Sequence, residues 1–521
     1  MSVAQALFRH ARLRPDAIAI AQGGRTISYA SLGERVARLA GFLVGRGLVR
    51  GDTVGILQPN SPEVLETMLA CWSQGLVCVP INARSTPYEV GPVLEDAGPR
   101  AVVFGVDYAA HVAGLDPDVV GLSVGGPAPG AAEYEPSLAG ASPLAPVPVH
   151  PAEPAWLFYS SGTTGRMKGA ILSHRSLLFM ALSYFGDLDP MPGDAVVLHA
   201  APLTHGSGLY AVMPVLKGAT QVLTASRSYD PEEMLALIEE WRATNIAFLA
   251  PTMLNRLVAA YRGSGADVST LRCCVYGGAP MYLEDTKAAL AAFGPVLAQI
   301  YGQAECPVTI ARMSPAEHTE ALAAGDSSRL ASVGRPYTGV EVRIDGGGAA
   351  ATPGEPEVGE VLIRGDIVMS GYWRNEAATA EAIVDDWLHT GDLGWFDAAG
   401  NLHLVDRSKD VIISGAANIY PREVEEVLLQ HPTIREVCVV GAPDEEWGER
   451  VVAVMSQGDG ADGRPAEQLR EELTALCRER LSGYKVPREI AFVDDLPKSA
   501  YGKILKRTVR ERYWKDHDRL I

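Results

Sequence analysis

From Ser31 onward, segments with helical spacing alternate with short apolar runs, and this alternation confines the chain to parallel sheets with helices on their faces. Ser31–Arg46 opens with Ser31 and Glu34 at capping-box spacing and lines up Leu32, Val36, Leu39, Ala40 and Leu43 on one helical face. Thr53–Leu57 reads as a strand, Pro62–Gly75 as a helix and Val77–Ile81 as a strand. Further strands are predicted at Ala155–Tyr159, Ala195–Ala201, Ile246–Ala250 and Arg272–Tyr276, with a helix near Pro231–Thr244. Between Val124 and Pro154 the chain is rich in Ala, Pro and Gly, which predicts a surface connection. Ligands of such sheets gather beyond the carboxyl ends of the strands. Three loops qualify by position: Ser160–Gly169, Gly277–Pro280 and Tyr301–Glu305.

A chain of 521 residues is too long for one core and predicts two or more domains. Beyond Leu330 the pattern turns to short strands at Val340–Ile344, Gly359–Arg364 and Trp387–Trp395, with a boundary expected in Val405–Asp410. Helix Pro421–Gln430, strands Ile434–Gly441 and Arg450–Met455, helix Pro465–Arg480 and strand Glu489–Phe492 then suffice for a small α+β unit with its own core. The predicted fold is therefore α/β: a large N-terminal body over residues 1–406 and a small α+β C-terminal domain over residues 407–521.

The formal net charge of −18 argues against nucleic acid as a partner. The basic run from Lys503 to Lys515 reads, by composition, as a solvated tail. No stretch approaches the roughly 18 apolar residues of a membrane span, so no integral membrane segment is expected. Seven cysteines lack Cys-x-x-Cys pairs or histidines at ligand spacing, which argues against disulfides and zinc, and Cys273–Cys274 read as buried small hydrophobes. The N-terminus has no apolar leader core, so a cytoplasmic location is expected.

The segment after the Ala155–Tyr159 strand carries the first chemistry. Backbone N–H groups and the hydroxyls of Ser160, Ser161, Thr163 and Thr164 can converge on phosphate oxygens, Gly162 and Gly165 allow close approach, and Lys168 adds a point charge. It is not a Walker A loop, because Lys168 follows Met167 and not glycine. Far downstream, Ser499–Lys506 (Ser-Ala-Tyr-Gly-Lys-Ile-Leu-Lys) offers a lysine from a separate domain.

With Ala201–Gly208, Gly277–Pro280, Tyr301–Glu305, Trp387–Asp392, Asp406–Pro421 and Leu496–Lys506, these segments resemble, in order, the motifs of the adenylate-forming superfamily. That superfamily comprises acyl- and aryl-CoA ligases, luciferases and peptide-synthetase adenylation domains, and the match covers about Ile27 to Arg507. The chain looks most like AMP-forming acyl-CoA synthetases. The resemblance implies two half-reactions: a carboxylate and ATP give an acyl-adenylate and pyrophosphate, then the small domain rotates and a thiol displaces AMP.

Residue by residue, the resemblance implies Lys503 as the catalytic lysine, stabilising charge on the phosphoryl oxygens. Glu305 resembles the acid that holds Mg²⁺, with Thr163 as a second metal contact. Asp392 would accept the ribose hydroxyls with Arg407 nearby, and Tyr301 would stack on adenine beside Gly277, Gly278, Ala279 and Gly302. His205 matches a position between acyl pocket and adenylate, where its imidazole hydrogen-bonds the substrate carboxylate or gates the channel; a neutral packed histidine is the alternative. Lys409 matches the hinge. Thr204, Ser207, Tyr276, Gln303, Ala304 and Cys306 are expected on the acyl pocket wall.

Three positions depart from the family's pattern: Met167 replaces proline, Ala304 replaces threonine, and Ala416 replaces the second glycine of a Ser-Gly-Gly hairpin. The first should loosen the phosphate loop, the second removes a hydroxyl, and the third places a methyl group on a hairpin used for thioester formation. The leading expectation is an ATP-dependent carboxylic acid–CoA ligase that uses ATP, Mg²⁺ and CoA, acting as a monomer or homodimer. The competing readings are an enzyme loading a free-standing carrier protein, since no carrier segment follows Ile521, a luciferase-type oxygenase, and a non-catalytic adenylate-binding protein. The expected pocket wall carries no charge for a second carboxylate or an amine, which points to an aromatic or medium-length aliphatic monocarboxylic acid.

Overall fold

The computed structural model describes residues 2–161, 167–279, 281–345, 357–407, 410–414, 417–444, 446–458, 465–499 and 503–515. Gly162, Thr163, Thr164, Gly165, Lys409, Ala416 and the Tyr501–Gly502 pair lie outside the described residues.

The large body holds two sheets that share one core. In the seven-stranded sheet, Thr53–Leu57 pairs in parallel with Val77–Ile81 and with Ala101–Gly105. Pro154–Ser161 joins the far side of Val77–Ile81 and turns back antiparallel as Met167–Ser173. In the nine-stranded sheet the parallel strands run in the order Leu297–Tyr301, Cys273–Gly277, Asn245–Leu249, Val196–His199, Thr220–Leu223 and Ile18–Gln22. These central strands are buried on both faces, which is why their sequences are continuous apolar runs and not alternating ones. A third, five-stranded antiparallel sheet contains Gly359–Arg364 and Trp387–Phe396.

The helix predicted from Ser31 spans Tyr29–Gly45, and its cap is Ser28, whose Oγ accepts the Ser31 N–H at 3.2 Å. The predicted Ser31 cap is therefore displaced by three residues, because Glu34 is spent on an i,i+4 pair with Arg38. The segment from Val124 to Pro154 is more than a surface connection. It contains the strand Ala131–Glu133 and the helix Tyr134–Gly140, and buried Tyr134 donates to Glu66 at 2.7 Å. Arg35 ties Glu66 and Glu135 together from the Tyr29–Gly45 helix, so this segment is anchored by a buried carboxylate.

The smaller C-terminal domain has its own mixed sheet: Ile434–Asp444 and Gly448–Gln457 form a long hairpin, and Glu489–Val493 adds in parallel. Helices Pro421–Leu428 and Ala466–Arg480 cover one face over Val424, Leu428, Leu469 and Leu473. Lys506–Trp514 covers the other face through Val509, so the predicted basic tail is largely a packed helix. Cys273 and Cys274 are buried as expected. Among the described residues no helix is long and apolar enough to cross a membrane.

Candidate functional site

Two of the loops expected to carry the chemistry, those beginning at Gly277 and Tyr301, lie at the carboxyl ends of adjacent strands. Tyr301 ends the strand Leu297–Tyr301, and its hydroxyl donates to Asp392 Oδ2 at 2.7 Å. Gln303 donates its amide to the same oxygen at 2.6 Å and to the Thr390 carbonyl at 3.0 Å. Asp392 lies on Trp387–Phe396, which brings the Trp-Leu-His-Thr-Gly-Asp segment onto the body's main sheet. Glu360 braces that segment, accepting from His389 at 2.9 Å and from the Gly391 N–H at 2.8 Å. Asp392 is thus a buried carboxylate held by neutral donors, with Arg407 opposite it in the neighbouring strand.

Gly302 and Gly278 make this packing possible. A Cβ on Gly302 would sit 2.4 Å from the Val308 backbone, and Gly278 adopts φ +77° against the Phe248 ring.

A second cluster joins the strand that follows the expected phosphate loop to Glu305. The strand leaving the loop, Met167–Ser173, places the Lys168 ammonium 5.1 Å from the centre of the Tyr372 ring. Tyr372 in turn donates to Glu305 Oε1 at 2.8 Å. Backbone bonds fix the pair: Met369 N–H reaches the Glu305 carbonyl, and Trp373 N–H reaches the Gly169 carbonyl. Tyr372 was not singled out from the sequence; an aromatic following Gly371 was its only signal. Met167, standing where proline is usual, opens this strand opposite Ser161 and packs half-buried on the neighbouring apolar cluster.

Among the described residues no three His, Cys, Asp or Glu side chains group as a metal cage. That does not conflict with Mg²⁺, which takes one or two carboxylates and fills its shell with phosphate oxygens and water. Glu305 offers a hard oxygen donor of that kind, and the hydrogen bond it accepts at Oε1 comes from a neutral phenol.

His205 begins the third cluster. Its half-buried ring lies 4.8 Å from that of Phe158, centre to centre. Burial lowers its pKa to about 4, and the positive charge of Lys503 adds to that effect, so the imidazole is neutral at pH 7. Lys503 belongs to the C-terminal domain, so its charge acts on the histidine from the other part of the chain. Two residues on, buried Ser207 shares a 2.8 Å hydrogen bond with His199 Nδ1, and Phe248 packs where a Cβ on Gly206 or Gly278 would fall.

The expected acyl wall divides. Thr204, Ser207, Ala304 and Cys306 surround the same loops, with Thr204, Ser207 and Cys306 buried. Tyr276 points elsewhere: its ring is fully buried and its hydroxyl meets His318 Nε2 at 2.9 Å and Gln299 at 3.2 Å. Gln303 is likewise committed to Asp392. Strand alternation explains Tyr276, since Val275 and Gly277 take the face opposite to it.

Residues 7–373 match the AMP-binding enzyme model, and residues 423–503 match the AMP-binding enzyme C-terminal domain. The chain belongs to the AMP-binding enzyme family. It is 37% identical over 510 residues to a feruloyl-CoA synthase from Amycolatopsis sp., covering 97% of this chain and 98% of that one. A fatty acid–[acyl-carrier-protein] ligase, ScoC from Streptomyces coeruleorubidus, is 35% identical, with 98% and 96% covered. Among solved structures, the amide bond synthetase McbA from Marinactinospora thermotolerans superposes with a TM-score of 0.85 at 32% identity, covering 98% of this chain and 99% of that one. These likenesses bear out the reading of the chain as an AMP-forming acid–CoA ligase built from a large α/β body and a smaller C-terminal domain.

Proposed function

We propose that this member of the family adenylates an aromatic or medium-length aliphatic monocarboxylic acid with ATP and passes the acyl group to CoA. The observation that supports the reading is the buried Asp392 carboxylate, held by the Tyr301 hydroxyl and the Gln303 amide at the carboxyl end of the Leu297–Tyr301 strand. In the first half-reaction the substrate carboxylate attacks the α-phosphorus, the new C–O–P linkage forms and pyrophosphate leaves. Lys503 stabilises the charge that grows on the α-phosphoryl oxygens. His205, neutral and with a proton on one ring nitrogen, donates to the carboxylate and keeps it in line without neutralising it. Asp392 accepts the ribose hydroxyls, and Tyr301 and Gln303 keep its carboxylate oriented. Tyr301 also presents its ring to adenine along the backbone of Gly277 and Gly278.

Ser160, Ser161, Gly162, Thr163, Thr164, Gly165 and Lys168 cradle the β- and γ-phosphates. Mg²⁺, held by Glu305 and Thr163, supplies charge neutralisation on the phosphate oxygens when bound. In the second half-reaction the small domain turns about Lys409, the CoA thiolate attacks the acyl carbonyl, the thioester forms and AMP leaves. The apolar surroundings of His205, with Phe158 and Phe248, favour a flat or aliphatic acyl group and support the same substrate class as the feruloyl-CoA synthase.

Transfer to a free-standing carrier protein is the second reading, favoured by the likeness to a carrier-protein ligase. The deciding experiment is pyrophosphate release with ATP, Mg²⁺ and a panel of carboxylic acids, followed by product mass with CoA or with phosphopantetheinylated carrier protein. Thioester with CoA supports the leading reading. Adenylate that reacts only with the carrier replaces it by the second.

A further inference from the structure

The catalytic lysine is carried by the small domain, so something must hold that domain against the body while the first step proceeds. The helix Pro421–Leu428 makes two of the contacts with the body. Arg422 Nη2 reaches the Ala331 carbonyl of the body at 3.5 Å, and Glu425, one turn on, receives the Tyr282 hydroxyl at 3.1 Å. Tyr282 belongs to the body: it follows the Gly277–Ala279 loop and caps the helix Leu283–Phe293.

Glu425 is buried, and its two oxygens face different ways. Oε2 accepts the hydrogen bond from the Tyr282 hydroxyl. Oε1 takes the Val439 N–H at 2.9 Å and pairs with the Lys506 ammonium at 3.0 Å. Lys506 also meets Asp406 at 3.3 Å, at the end of the body's last strand. It stands three residues after Lys503. One carboxylate therefore links the body, through a single phenol, to the segment that delivers the catalytic lysine.

We propose that Tyr282 is a positioning residue for adenylation. Its hydroxyl, acting through Glu425 and Lys506, holds the small domain in the orientation that carries Lys503 toward the body's site. The proposal rests on the two-step ligase reading. A latch of this kind works against the second step, which needs the domain to leave this orientation. Losing the phenolic proton should then slow one half-reaction and not the other. A merely structural role would slow both.

The test uses Tyr282→Phe in the full chain, which removes one oxygen and keeps the ring. Single-turnover adenylate formation from acid and ATP should fall by about three- to tenfold, in proportion to the lost population of the latched orientation. Thioester formation from preformed adenylate and CoA should be unchanged or faster. Orientation is read separately from activity by spin labels on Ser269→Cys in the body and Glu479→Cys on the small domain. The seven native cysteines are buried and leave these exposed sites to the label. Pulsed dipolar distances in Tyr282→Phe should lose weight at the parent's distance and broaden. Identical distance distributions in parent and variant overturn the latch, as does equal slowing of both half-reactions. A parent that forms no adenylate with any acid would sink the ligase reading instead, and the distance measurement would still decide the latch.

Discussion

Tyr301 donates its phenolic proton to Asp392 across 2.7 Å, so a side chain expected at the adenine is also the support of the carboxylate expected at the ribose. Gln303 completes the support from the same loop. A loop that ends one strand thereby sets the conformation of a residue on another sheet, and nucleotide affinity should depend on that pairing as well as on Asp392 itself.

Asp392→Ala is expected to weaken ATP binding by about 1.5–3 kcal/mol, the range for a hydrogen bond to a charged group. Tyr301→Phe should weaken it less, through the loosened carboxylate, and the double variant should fall short of the sum because both changes act on one contact. Calorimetric ATP affinities of the three folded proteins check this. Unchanged affinity in Asp392→Ala would remove the carboxylate from the site.

Lys503→Ala is expected to lose about 10²–10³ in the rate of pyrophosphate release, the effect of deleting one preorganised donor to developing charge. ATP affinity should hardly change. A variant within threefold of the parent sinks the role assigned to Lys503.

Gly302→Ala forces a methyl group to within 2.4 Å of the Val308 backbone, which cannot move as a side-chain tip would. Such overpacking costs about 1–3 kcal/mol. The displaced segment carries Tyr301 and Gln303, so a lower melting temperature should come with a raised KM for ATP. Parent-like stability together with a parent-like KM would show that the loop tolerates the methyl group.

Much of this was legible in the sequence, and the gaps have physical causes. The strands Thr53–Leu57 and Val77–Ile81 fall where the apolar runs predict them, because strands buried on both faces need no register information beyond hydrophobicity. Two of the loops named from strand ends, those beginning at Gly277 and Tyr301, follow adjacent parallel strands, and the second carries Gln303 and Glu305. Pairings between residues far apart in the chain could not be read. Tyr372 against Glu305 and Lys168, Tyr282 against Glu425, and Glu66 against Arg35 and Tyr134 all depend on the tertiary fold. Tyr276 shows the same limit from the other side, since proximity in sequence to a site loop said nothing about which sheet face its ring would take.

Acid should destabilise the fold well before its carboxylates are protonated. His174, His199 and His318 are buried, and burial lowers each pKa from 6.5 to about 4. In the unfolded chain they titrate near the ordinary value. Between these two values the unfolded state binds more protons than the native state, so stability is present above about pH 6.5 and is lost as pH falls toward 4. Each such histidine contributes a slope of at most about 1.4 kcal/mol per pH unit. His174 is the cleanest probe, because neither ring nitrogen has a hydrogen-bond partner among the described residues. Replacing it by an apolar side chain of similar size strands no donor or acceptor. His174→Leu should therefore match or exceed the parent's stability at neutral pH, and its stability should fall less steeply between about pH 6.5 and pH 5. Denaturant melts across that interval measure both slopes. If the two proteins lose stability in parallel, His174 does not titrate with the transition and the burial argument fails for it.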